Sequence, residues 1–245
     1  MKTIAIMNQK GGVGKTTLTQ ALARCLNRKG YKVLLVDMDA QRNLTFLVTG
    51  REDFKSGVGT FIITPKAQDS VVRVDERLSI IPGSESLYLK KIPIKALRDS
   101  LAAVKDSFDF CLIDTPPIVS QTSVSCAIAA DFVLVPCLAD LLSVKAFTAT
   151  LESVQSAKKI NPNVKALGAL LTRFTPRMRV SKGVVEALTI LCAQHHTRLL
   201  EAKVTESNVF RQAQIQRKSI FDFLPGRATQ DIEAVTAELL TLIGE

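Results

Sequence analysis

Residues 9–17 read Gln-Lys-Gly-Gly-Val-Gly-Lys-Thr-Thr, and this glycine-rich stretch decides the fold. It follows an apolar run that predicts a strand over 3–8, and it precedes a pattern typical of an amphipathic helix. Gly11, Gly12 and Gly14 allow the backbone to curl with its N–H groups pointing inward, and the start of the following helix adds further donors. Strand, glycine turn and helix together predict a phosphate-binding loop.

Side chains of this loop supply the charge and the metal ligand that a nucleotide needs. Lys15 would reach the β- and γ-phosphates, and the hydroxyl of Thr16 would bind Mg²⁺. Val13 and Thr17 complete the nucleotide-binding stretch. The standard pattern GxxxxGK[ST] has a glycine where this chain has Gln9, so the loop is a variant of that pattern.

Apolar runs alternate with helical patterns along the rest of the chain. We predict strands at 3–8, 33–37, 78–82, 110–114, 132–136 and 166–172, with a shorter one near 199–204. We predict helices at 15–29, 93–105, 121–129, 141–159, 180–195, 206–217 and 229–243, with short helices and loops over 42–75. Near-continuous apolar strands are typical of parallel sheets covered on both faces. The alternation therefore predicts an α/β fold of the P-loop type, a doubly wound, mainly parallel sheet with helices on both faces, in a single domain over 1–245.

Three carboxylates follow predicted strands, at the edge where phosphate loops lie in doubly wound sheets. Asp37 and Asp39 leave the strand 33–37, and a carboxylate there would orient the attacking water or hold Mg²⁺ through water. For Asp37, capping of a helix or loop is the alternative. Asp114 ends the apolar strand 110–114 as a Walker B acid, and it would hold the water shell of Mg²⁺.

The charge of the chain points to an anionic partner. Its 245 residues include 32 Lys and Arg against 23 Asp and Glu, a formal net charge of +9. With no Trp and only two Tyr, recognition of bases by stacking is disfavoured, so phosphate is the expected handle on a nucleic acid. Residues 151–230 hold 13 bases and five acids, whereas 231–245 hold four acids and no base. The acidic end argues against a basic membrane-binding helix.

The five cysteines show no CxxC spacing and lie mostly in apolar surroundings. This pattern predicts buried, reduced thiols rather than a metal site. The sequence also lacks the pattern of a secretory leader and an unbroken apolar span, so we expect a cytoplasmic protein.

Lys10 adds a second lysine to the loop, which gives the pattern KGGxGKT. On this motif the chain resembles the ParA/MinD group of ATPases. Residues 114–117 (DTPP) and 130–136 (ADFVLVP) match the same group, and 208–213 with 219–223 resemble the ParA branch. Asp39 aligns with the catalytic aspartate of the group's DxDPQ pattern, in which this chain has Ala40 in place of proline.

The resemblance implies an ATPase with ATP and Mg²⁺ as cofactors. Lys10 would act in trans, crossing the interface of an ATP-bound homodimer to the partner's nucleotide. Lys15 and Asp39 would complete the catalytic set. Arg173 and the segment around Pro225 would lie beside the adenine.

The ParA branch further implies a dimer that binds DNA non-specifically and is released when a ParB-type centromere-binding protein stimulates hydrolysis. We expect the DNA contacts at bases near predicted helix ends: Arg177, Arg179, Lys182, Arg211, Arg217 and Lys218. Because the phosphate loop begins at residue 9, we expect no operator-binding domain before it. The expectation is thus a small, nucleoid-associated partition ATPase. Two alternatives stay open, a relative that positions a protein cargo such as a chemosensory array, and a metabolic ATPase of the same superfamily.

Overall fold

The sheet has seven strands, and the order β3-β4-β2-β5-β1-β6-β7 places β1 between two parallel neighbours. The computed structural model describes residues 1–64, 67–89, 93–118, 120–175 and 180–245. The strands are β1 (Lys2–Ile6), β2 (Val33–Asp37), β3 (Val72–Arg73), β4 (Leu78–Ile81), β5 (Phe110–Asp114), β6 (Phe132–Cys137) and β7 (Lys165–Leu171). All neighbours pair in parallel except β3 with β4. The mainly parallel sheet of the sequence prediction is confirmed.

Ten α-helices connect and cover these strands within the described residues. They are α1 (Lys15–Arg28), α2 (Asn43–Thr49), α3 (Val58–Phe61), α4 (Ser86–Leu89), α5 (Ala96–Ala102), α6 (Gln121–Ala129), α7 (Leu141–Lys158), α8 (Val180–Gln194), α9 (Asn208–Gln216) and α10 (Arg227–Ile243). Short polar side chains start several of them, as the oxygens of Ser120, Asp140 and Ser207 each accept a backbone N–H of the first turn.

Two apolar cores lie on the two faces of the sheet. On β5, Cys111 and Ile113 point into one core and Phe110 and Leu112 into the other. The first core packs the sheet against α5, α6, α7 and α8, and the second packs it against α1, α9 and α10. Burial on both faces explains why the strands read as continuous apolar runs.

The segment 198–205 runs along the outer edge of β7 without forming a regular strand. Backbone bonds join Ala169 to Arg198 and Leu200, and further along they join Leu171 and Phe174 to Val204. The ladder is interrupted between these points, so only isolated bridges form there. Gly168 in β7 has φ +144° and lies against the Arg198 carbonyl, which bends the edge at this position. The predicted strand near 199–204 is therefore reduced to two bridges.

The helix predicted over 93–105 is shorter in the structure, since α5 covers Ala96–Ala102 and a 3-10 turn follows at Lys105–Ser107.

All five cysteines are free and buried, as their apolar surroundings predicted. Burial raises the pKa of Cys192 to about 11. Within the described ranges, no helix is both long and apolar enough to cross a membrane.

Candidate nucleotide-binding site

The loop between β1 and α1 has the backbone of a phosphate cradle. Gly12 and Gly14 take φ values of +73° and +87°, and Gly14 directly precedes the first residue of α1. A side chain at these positions would be strained, which explains the glycines. The hydroxyl of Thr172, just after β7, donates to the Val13 carbonyl at 2.8 Å and holds the loop from the neighbouring strand end.

Gln9 fills the place of the missing glycine and anchors the loop to α7. Its Nε2 donates to the Ala149 carbonyl at 2.9 Å and to Ser153 Oγ at 3.2 Å. In the sequence, Gln9 is visible only as a departure from the pattern. The partners are 140 and 144 residues away in the chain, so no local signal could have identified them.

Lys15 is buried at the start of α1, with its Nζ donating to the Lys10 carbonyl at 3.2 Å. Burial lowers the pKa of Lys15, while the charges of Asp114 and Asp39 act in the opposite direction. An ammonium group removed from water in this way gains most from a multiply charged anion. Its position fits the predicted role of a phosphate ligand.

Asp114 is fully buried at the end of β5, and neither carboxylate oxygen makes a hydrogen bond to the described residues. Burial, and then the nearby Asp37, raise the pKa of Asp114 to about 8. The Thr16 hydroxyl lies close enough to oppose that shift, although it makes no hydrogen bond of good geometry to the carboxylate. An unpaired buried carboxylate is costly unless a cation approaches it. Asp114 and Thr16 therefore fit Mg²⁺ and its water shell.

Asp37 has a structural role, which is the alternative left open by its sequence. One oxygen accepts the backbone N–H and the hydroxyl of Thr45 at 2.8 and 2.7 Å, and the other accepts the N–H of Asp39 at 3.2 Å. Burial raises the pKa of Asp37 to about 6, although these hydrogen bonds act to lower it. Asp37 thus fixes the first turn of α2 beneath the site.

Asp39 lies at the wall of the cleft, where the predicted catalytic carboxylate is needed. Its Oδ1 accepts the N–H of Gln41 at 3.0 Å, which leaves Oδ2 with no hydrogen bond among those described. Asp39 is 7% exposed and lines the same cleft as Lys15 and Thr16. The side chain is therefore both oriented and accessible to a ligand.

Lys10 turns away from its own phosphate loop and pairs with the start of α7. Its Nζ lies 2.5 Å from Asp140 Oδ2 and 3.4 Å from Ser143 Oγ. Burial opposes ionisation of Asp140, but the hydrogen bonds from Lys10 and Ser143 hold its pKa below the usual range. The contact of Lys10 with a partner's nucleotide stays a prediction, and Asp140 is its counter-ion in the single chain.

A cleft of about 420 Å³ opens beside the phosphate loop. The cleft is lined across from the loop by Arg173, Phe210, Arg211 and Gln214. That Arg173 lies beside the adenine stays a prediction. Arg173 forms an ion pair with Glu206 at 2.6 Å. Pro225, predicted beside the adenine, is exposed in the turn before α10 and does not line this cleft.

The predicted DNA-binding residues that the structure describes lie on α8 and at α9. Lys182 is exposed on α8, which packs against one face of the sheet, whereas α9 packs against the other face. Arg211 is exposed and also lines the cleft, and Arg217 and Lys218, both exposed, follow the last residue of α9. Arg177 and Arg179 lie outside the described residues.

A metal site built from protein ligands alone is not present in the described part of the chain, since no cluster of three or more His, Cys, Asp or Glu could hold an ion there.

Comparisons with known proteins agree with this site. The family model of the AAA domain matches residues 1–166. A ParA family protein of Chlamydia pneumoniae is 30% identical over 99% of both chains. The chromosome-partitioning ATPase Soj of Thermus thermophilus is 32% identical over 75% of this chain and 74% of its own. Among solved structures, an ATP complex of a McdA variant from Cyanothece is 26% identical over 100% of this chain and 96% of that chain, with a TM-score of 0.87. The loop, its acids and these likenesses together show that this chain belongs to the ParA/MinD-type P-loop ATPases.

Proposed function

We propose that this chain is a Mg²⁺-dependent partition ATPase whose ATP-bound dimer binds DNA without reading its sequence. The observation that carries the DNA-binding part is the charge of α9 and the two residues after it. Residues 208–218 contain three bases and no acid. All three bases, Arg211, Arg217 and Lys218, are exposed, and none forms an ion pair within the described ranges. Unpaired, exposed bases are available to DNA phosphates.

The residues of the cleft divide the work of hydrolysis. Lys15 and the amides of the loop hold the phosphates, while Thr16 and Asp114 hold the metal. A bound Mg²⁺ supplies positive charge that neutralises the phosphate oxygens. Asp39 orients the attacking water. Lys10, contributed by the partner subunit, stabilises the charge that develops on the transferred phosphoryl group, as an arginine finger does in other P-loop enzymes.

Dimerisation requires that Lys10 leave Asp140. The pair is partly exposed, with 22% of the Lys10 side chain and 42% of the Asp140 side chain accessible, so exchanging it for a phosphate costs little. A ParB-type protein that stimulates hydrolysis would then return the dimer to monomers. The name of the Soj relative, a chromosome-partitioning ATPase, supports this assignment.

The decisive experiment is a DNA-retention assay with no nucleotide, with ADP and with ATP. We expect duplex DNA of arbitrary sequence to be retained only when ATP is present, and Lys15→Ala to abolish this retention. The retained fraction should decrease steeply as the salt concentration rises from about 50 to 200 mM. A double variant, Arg217→Glu with Lys218→Glu, should lose retention. If the wild-type chain hydrolyses ATP but retains no DNA at low salt, the DNA-binding assignment is wrong and a metabolic ATPase becomes the better reading. ATP-dependent DNA retention together with hydrolysis that a ParB-type protein does not stimulate would favour a cargo-positioning relative.

A further inference from the structure

We propose that Arg217 couples DNA binding to the nucleotide site by bridging a DNA phosphate and helix α2. The proposal rests on the proposed DNA binding and adds a role that Lys218, its exposed neighbour, does not share. Arg217 Nη1 donates to the Gly50 carbonyl at 3.3 Å, and its guanidinium carbon lies 5.9 Å from the centre of the Phe46 ring. Both partners belong to α2 and its C-cap.

The backbone of Arg217 has a left-handed conformation, and its side chain makes this contact from that position. Arg217 follows α9 with φ +51°, a left-handed conformation that usually selects glycine at a helix end. Gly50 ends α2 with φ +70°, and a Cβ built there would lie 2.9 Å from Arg217 Nη1. A non-glycine residue held at positive φ is the kind of outlier that points to a function. The absence of a side chain at Gly50 lets the guanidinium approach the carbonyl.

The other end of α2 is attached to the acids of the site. Thr45 in its first turn donates twice to Asp37, and the N–H of Arg42 donates to the Asp39 carbonyl at 2.9 Å. The helix between these bonds and Gly50 is seven residues long. A displacement at Gly50 is therefore transmitted to the backbone that carries Asp39.

A second bond joins α9 to the phosphate loop. Gln214 Nε2 donates to Thr17 Oγ1 at 2.7 Å, so α9 contacts the residue next to the proposed Mg²⁺ ligand Thr16. Helix α9 thus touches the nucleotide site at Thr17 and, through Arg217, at α2. Of these two contacts, the one at Arg217 is open to an external anion, because that side chain is exposed.

The chemistry of arginine suits a bridge. Its planar guanidinium has five N–H donors, so a donor directed at Gly50 leaves others free for a phosphate. Phosphate binding would be strongest when α2 holds the guanidinium in place, and the position of α2 depends on what Asp39 contacts. By thermodynamic reciprocity, ATP must then raise the affinity for DNA by the same factor as DNA raises the affinity for ATP.

The test compares DNA affinity in ATP with that in ADP for three variants. Arg217→Lys keeps the positive charge but loses the planar fork. Phe46→Leu changes α2 without replacing any basic residue, and the Phe46 side chain is 40% exposed. Lys218→Ala is the matched control, since it removes a neighbouring basic side chain that makes no hydrogen bond or ion pair with α2 among the described residues. The loss of the exposed cation–π contact corresponds to about two- to fivefold, and the loss of the exposed hydrogen bond multiplies this by about twofold or more.

We expect Phe46→Leu to lower the ATP-to-ADP ratio of DNA affinities about two- to fivefold, and Arg217→Lys to lower it at least as much. The DNA-induced gain in ATP affinity, relative to that in ADP affinity, should fall by the same factor. Lys218→Ala should weaken DNA binding in both nucleotides and leave the ratio as in the wild type. The double variant Arg217→Lys/Phe46→Leu should be no worse than Arg217→Lys alone, because the guanidinium–ring contact that Phe46→Leu removes is already absent in Arg217→Lys. If wild-type DNA binding depends on ATP while Arg217→Lys and Phe46→Leu retain the wild-type ratio, this inference is wrong and the proposed function stands. If the wild-type chain binds no DNA in any state, the proposed function fails and the inference with it.

Discussion

Replacing Asp114 by asparagine should make the metal-free protein more stable at neutral pH while removing its ATPase activity. Asp114 is fully buried without a hydrogen-bond partner among the described residues, and its pKa is raised from 3.8 to about 8. A carboxyl group with a raised folded-state pKa favours folding less and less as pH rises. Below about pH 4 both states hold the proton, and between pH 4 and 8 only the folded state does, so stability is lost through that window.

The magnitude follows from the shift. Each pH unit inside the window costs about 1.4 kcal/mol, which amounts to about 4 kcal/mol at pH 7. Asparagine removes this cost but leaves a buried amide without partners, at about 1–3 kcal/mol. Asp114→Asn should therefore be more stable than the wild type by about 1–3 kcal/mol at pH 7 and less stable by a similar amount at pH 4.

The assay is urea unfolding of both proteins in EDTA, without nucleotide, from pH 5 to pH 7. The difference in unfolding free energy should shift in favour of the variant by about 1.4 kcal/mol per pH unit. Asp114→Val separates the two contributions, because it removes the same charge without adding an amide. It should show the same slope with a larger gain at every pH. A difference that does not change with pH would refute the account of Asp114 as an unpaired buried acid.

Three further substitutions test other parts of the structure. Lys10→Ala should abolish ATP-dependent dimerisation in light scattering, yet lower the unfolding free energy by no more than about 1 kcal/mol, since its ion pair with Asp140 is partly exposed; a monomer that hydrolyses ATP normally would contradict the role in trans. Asp37→Ala should destabilise the fold by about 2–4 kcal/mol in urea unfolding at about pH 4, where the raised pKa of Asp37 costs no stability, because the two donors of Thr45 lose their acceptor. Gly168→Ala should cost at least about 3 kcal/mol, since its Cβ would collide with the Arg198 carbonyl; a melting temperature equal to that of the wild type would show that β7 can relax.

Local patterns were sufficient for six of the seven strands and for the position of the site, whereas β3 lies in the range 42–75, for which short helices and loops were predicted. The strands over 33–37 and 110–114 and the helix over 121–129 have the same bounds in the structure as in the prediction. The two strands are continuous apolar runs, and the helix begins after the capping side chain of Ser120. The residues that determine each element therefore lie in it or directly beside it in the sequence. Asp37, Asp39 and Asp114 also meet at one edge, since the register pairs Asp37 with Asp114.

Contacts between distant parts of the chain could not be predicted in this way. Gln9 with α7, Lys10 with Asp140 and Arg217 with Gly50 are separated by more than 120 residues, and each uses an ordinary polar side chain. The short helices over 42–75 depend on the same kind of contact, as the bond from Val58 N–H to the Pro82 carbonyl shows.

The two edges of the sheet limit how copies of this chain can assemble. On one side, the segment 198–205 already bonds to the outer backbone of β7, and on the other side the sheet ends in the two-residue strand β3. Neither edge offers a long row of free N–H and C=O groups to a neighbouring molecule. A filament grown by adding strand to strand is therefore disfavoured. Any larger array of this chain would therefore be held by contacts between side chains.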